Sequence, residues 1–115
     1  MGRLVNHDNA YISLTKLTEY CLNEFHPHGK DKAIAFKTIL GIGTMEASIL
    51  KDAILKGLSE NDCIPKEQDE YGKRFSVIMK VSIFQKETII NTGWIYRAGE
   101  DYPRLTTCYI KRARK

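Results

Sequence analysis

The chain has 115 residues, a net charge of +4 and three cysteines, which suits one compact domain over residues 1–115 and leaves little chain for a second. Its apolar runs fall far short of the ~18–20 residues that a membrane-spanning helix needs, and "MGRLVNHDNAY" lacks the apolar core of a secretory signal, so a cytoplasmic protein with no membrane partner is expected. Cys21, Cys63 and Cys108 stand singly, which argues against a disulfide framework and a paired-cysteine zinc site and leaves reduced thiols as the expectation.

In chain order, Leu14, Leu17, Thr18, Cys21 and Leu22 recur at three- and four-residue steps and predict a first helix, with Ser13 available as its cap. "NEFHPHG" reads as a loop, because Pro27 and Gly29 interrupt any continuous helix. Ala33, Phe36, Lys37 and Leu40 define the face of a second helix over about 30–40, closed by "GIG". A third spans about 44–58, with Thr44 as cap and Ile49, Leu50, Ala53, Ile54 and Leu58 as its stripe. "SENDCIPKEQDEYG" reads as a hinge.

From residue 71 the hydrophobic period changes from 3.6 to 2. Phe75, Val77, Met79, Val81 and Ile83 share one face, with Ser76, Lys80 and Ser82 opposite. "TIINTGWIYRA" pairs with this strand as a hairpin. After "GEDYP", "RLTTCYIKR" makes the next strand, with Arg104, Thr106, Cys108 and Ile110 on one face and Leu105, Thr107 and Tyr109 on the other. The expected fold class is α+β, with N-terminal helices packed on a C-terminal antiparallel meander of three to four strands.

Two stretches carry candidate chemistry. "EFHPHGKDKAIAFK" sets His26 and His28 before a helix N-terminus that also holds Lys30 and Lys32. Histidine is the side chain suited to both acid and base roles near neutral pH, and a helix start with added lysines favours an anion. The bland alternative is a pair of exposed loop histidines beside an ordinary first-turn lysine. A metal site built from His26, His28 and Asp31 is disfavoured by the adjacent lysines, so neither metal nor cofactor is expected. In "PRLTTCYI", a guanidinium and hydroxyls along a strand offer several donors to a phosphate. Trp94 on the preceding strand is a candidate base-stacking platform, against the alternative of core. The acid-free end, with Lys111 and Arg112, suits phosphate-bearing or acidic partners, or serves only solubility.

Three blocks in order, "KLTEYCLNEFHPHGKDKAIAFKTILGI", "EYGKRFSV" and "TGWIYRAGEDYPRLTTCYI", resemble a bacterial family that carries the domain-of-unknown-function label DUF6883. The resemblance covers about residues 16–110. It falls on His26, Pro27, Gly29, Lys30, Lys32, Ala33 and Phe36, then on Tyr71, Gly72, Lys73, Trp94, Gly99, Asp101, Pro103, Arg104, Leu105, Thr107 and Tyr109. His28 stands outside the pattern, so His26 is the better of the two histidines. Members occur alone and within larger toxin-like proteins. The helix-then-meander order also resembles the barnase–EndoU–colicin–RelE group of metal-independent ribonucleases, which is a fold-level analogy.

The resemblance implies a small toxin-type ribonuclease acting by 2′-hydroxyl attack on RNA, whether tRNA or mRNA, and held in check by an acidic antitoxin or immunity protein. His26, Lys30, Arg104, Thr107 and Tyr109 are the catalytic candidates. His28, Lys32, Lys73, Arg74, Trp94, Lys111 and Arg112 are the RNA- or phosphate-binding ones. The alternative is a non-catalytic nucleic-acid or protein-binding module that uses the basic C-terminus and an open sheet face. The catalytic reading requires the start of the second helix to meet the last strand, with His26 or Lys30 one phosphate away from Arg104.

Overall fold

A computed structural model describes residues 2–27 and 30–111. The expectations placed on His28, Gly29 and Arg112 lie outside the described residues. Three helical segments precede an antiparallel sheet in the order β1 (Ile64–Asp69), β2 (Gly72–Ile83), β3 (Lys86–Arg97) and β4 (Arg104–Ile110). The fold is α+β, helices first and meander afterwards. Among the described residues, no single helix is long and apolar enough to cross a membrane.

Ser13 caps α1 (Leu14–Lys16) by accepting the Lys16 N–H at 3.3 Å. After one turn the helix widens into a π-turn, Leu17–Cys21, closed by the Leu22 N–H on Leu17 O at 2.8 Å. The extra residue in this turn carries Leu17, Cys21 and Leu22 into the core together. In α2 (Lys30–Leu40), Ala33, Ala35, Phe36 and Leu40 are buried. Gly41 ends it at φ +73°, with its N–H on Lys37 O at 3.0 Å, a left-handed cap that costs glycine nothing.

A 3₁₀ turn, Thr44–Glu46, leads into α3 (Ala47–Glu60). The expected cap at Thr44 gives way to Glu46, whose carboxylate accepts the Gly43 N–H at 2.7 Å. Leu50, Ile54, Gly57 and Leu58 face the sheet, whereas Ile49, expected in the stripe, is 38% exposed. A Cβ on Gly57 would lie 2.4 Å from Met79 Sδ, so α3 rests against β2 with no room for a methyl group.

Val77, Met79, Val81 and Ile83 of β2 meet the helices together with Ile90, Thr92 and Trp94 of β3, as the period-2 pattern predicts for β2. The segment read as a hinge contains β1. All six of its residues are exposed, so no face alternates in polarity and backbone pairing with β2 alone defines the strand.

The expected faces of β4 need correction. Gly93 pairs with Thr107 but Trp94 pairs with Leu105, which makes Thr106 the extra residue of a β-bulge. Leu105, Cys108 and Ile110 therefore turn to the core. Arg104, Thr107 and Tyr109 share the opposite face, where Tyr109 on the edge strand is still reached by Lys32 of the second helix, although simple alternation sets Arg104 opposite the other two.

Candidate active site between α2 and β4

Helix α2 packs against β4 and β3, and its third residue, Lys32, meets Tyr109 near the end of β4. Lys32 Nζ lies 4.9 Å from the centre of the Tyr109 ring and 5.6 Å from that of Tyr20, so one ammonium is held between two aromatic faces. Among the described residues, no ion pair ties Lys32 to a carboxylate. Tyr20 stands on the π-turn and meets the His26 ring edge-on at 4.8 Å. Across the sheet, Asn91 Nδ2 donates to Tyr109 Oη at 2.8 Å. Lys30 opens α2 and gives its N–H to His26 O at 3.1 Å. A cleft of about 480 Å³ beside these groups is lined by Asp31, Lys32, Ile34 and Tyr109.

Beneath the cluster the Cys21 and Cys108 thiols interact inside the core. That interaction, helped by Lys16 and Lys32, lowers the Cys21 pKa, while the same interaction and burial raise that of Cys108. On the outer face, Asn91 Oδ1 and Thr107 Oγ1 are buried without a hydrogen-bond partner among the described residues.

A family model described as a domain of unknown function, DUF6883, matches residues 3–112. The chain belongs to the DUF6883 family. No curated protein and no solved structure matches it.

In this DUF6883 domain the expected meeting of the two stretches takes place at Tyr109, not at Arg104. Arg104 lies five residues back along β4, about 16 Å of strand. Its guanidinium is held by Glu100, with Nε and Nη2 each 2.9 Å from a carboxylate oxygen, and it stacks between Tyr11 and Tyr102 at 5.1 and 5.3 Å. This fork raises the Arg104 pKa and lowers that of Glu100. Engaged so, Arg104 braces the turn into β4.

Arg74 sits across β3 from Arg104, since both pair with Ile95, and it is bound to Asp69 at 3.3 Å. Lys73 lines a separate cleft of about 500 Å³ with Leu4, Phe75 and Tyr96, at the end of the sheet away from Tyr109. Trp94 is corrected outright as a stacking platform. It is 1% exposed, and its indole N–H donates to Thr92 Oγ1 at 2.8 Å. Thr92 in turn donates to Val77 O at 2.8 Å, so the whole unit is core. Lys111 is exposed just past β4.

Sequence reasoning missed Tyr20 and Asn91. A regular 3.6-residue period gives Tyr20 no special place, and only the π-turn aims it at His26. Asn91 did leave a signal, because asparagine is unfavourable in the middle of a strand.

Proposed function

We infer that this chain is a metal-independent, toxin-type ribonuclease that works in the α2–β4 cleft. The observation that carries the reading is the connected set His26, Tyr20, Lys32, Tyr109 and Asn91, drawn from a loop, a helix, a π-turn and two strands. Transesterification at a phosphodiester needs a base for the 2′-hydroxyl, a cation for the phosphorane and an acid for the leaving oxygen.

His26 takes the base role, with its ring oriented by Tyr20. Lys32, unpaired with any carboxylate among the described residues, stabilises the phosphorane, and Lys30 adds charge at the start of the same helix. Tyr109 Oη already accepts from Asn91, which leaves its own proton to donate to the leaving 5′-oxygen. Arg104 takes no part in this scheme. Lys30 and Lys32 at the start of α2 also suit an acidic inhibitor protein, because charge complementarity speeds such encounters.

The test is cleavage of total RNA by the purified chain in excess chelator. Cleavage by the wild type that His26→Ala abolishes and Lys32→Ala strongly lowers, with RNA binding kept in His26→Ala, supports the enzyme. Binding without cleavage replaces it with a binding module. Neither binding nor cleavage removes RNA from the account.

A further inference from the structure

The turn that delivers His26 also delivers Phe25, and Asn23 fixes both. Asn23 Oδ1 accepts the Phe25 N–H at 2.9 Å, Asn23 O accepts the His26 N–H at 3.2 Å, and Asn23 Nδ2 donates to Glu19 O at 3.2 Å. Within this pinned turn the two rings part company. His26 turns onto Tyr20, while the phenyl ring of Phe25 is 90% exposed.

A single exposed apolar side chain needs no explanation. Phe25 is not single, because Met45, also 90% exposed, lines the same groove of about 330 Å³. Lys37 lines it too, on the helix that carries Lys30 and Lys32. The Glu46 carboxylate accepts the Gly43 N–H at 2.7 Å. Glu24 and Thr44 at the groove supply acceptors for the edge of a ring.

The geometry points to Phe25 as a stacking platform for an unpaired nucleobase, with Met45 as the opposite wall, in single-stranded RNA whose flanking phosphate meets Lys37 at the groove. Every base has a π-face, and bases in single strands are free to splay onto an aromatic ring, whereas those of a duplex are not. This inference rests on the ribonuclease reading and narrows its substrate to single strands. The exposed aromatic that Trp94 cannot supply stands one residue before the proposed base.

The test measures fluorescence anisotropy of a labelled single-stranded 2′-O-methyl oligonucleotide, which resists 2′-hydroxyl attack, on the full chain. Phe25→Ala should weaken binding about tenfold, as loss of one stacked base does, with an unchanged salt slope because no phosphate contact is lost. Phe25→Trp should restore binding, and its fluorescence should be quenched when the strand binds. The duplex form of the oligonucleotide should bind wild type and Phe25→Ala equally. Wild-type binding that Phe25→Ala leaves intact would overturn the stacking site alone and give the groove to a protein partner. No binding by wild type would overturn the ribonuclease reading as well. Weakened binding that Phe25→Trp fails to restore would make the phenyl ring structural and end the inference.

Discussion

Lys32 Nζ lies 4.9 Å from the centre of the Tyr109 ring, which joins the first turn of α2 to the last strand of the meander. An ammonium over a phenol ring is attracted to its π-face and keeps its N–H donors available to an anion in the adjoining cleft. Lys32→Ala should therefore lower RNA cleavage about a hundredfold, the usual result of removing one charge-stabilising donor. Its melting temperature should move little, because the residue is partly exposed. Initial rates set beside thermal melts check this, and a loss of rate that merely follows a loss of fold would refute it.

Arg104 should prove structural. Its bond lowers the Glu100 pKa in the folded state, so the bond stabilises the fold above the unfolded carboxylate pKa and is lost as pH falls through the lowered folded value. The urea midpoint of the wild type should drop between about pH 5 and pH 3, and Glu100→Gln should flatten that drop. Arg104→Ala should destabilise at neutral pH while the folded protein keeps its cleavage rate. A folded Arg104→Ala with no activity would return Arg104 to the site.

Tyr96 sets the alkaline limit. Burial raises its pKa to about 12, and its hydroxyl donates to Val5 O at 2.6 Å. A phenol that ionises later folded than unfolded contributes stability in full below the unfolded pKa of about 10, and this is lost as pH rises through about 12. Tyr96→Phe should melt lower at neutral pH and fall less between pH 10 and pH 12. Ultraviolet phenolate titration of the two proteins should differ by one late-ionising group.

Trp94 reports the core. Its emission should be blue-shifted, and saturating single-stranded RNA should leave it unquenched. Trp94→Ala should cost about 3–5 kcal/mol in urea unfolding, the range for removing a large buried aromatic. Strong quenching by RNA would put the indole back on the surface.

The fold class was legible because period is a local property. Residues 75–83 alternate and residues 33–40 recur at helical steps whatever they later pack against. β1 was illegible for the converse reason, since no side chain of Ile64–Asp69 is buried. The lysines and His26 could be picked from the sequence by their chemistry, but their partners could not. The bulge at Thr106 turned Arg104 onto the face of Tyr109, and Glu100 then engaged its charge. The π-turn at Leu17–Cys21 aimed Tyr20 at His26, and the docking of α2 brought Lys32 to Tyr109. By itself the sequence determined an α+β chain with its candidate cations near a helix start and on the last strand. Only the tertiary structure decided which of them share a cleft, because one inserted residue in a strand or helical turn redirects every side chain after it, and the periodic pattern carries no record of that shift.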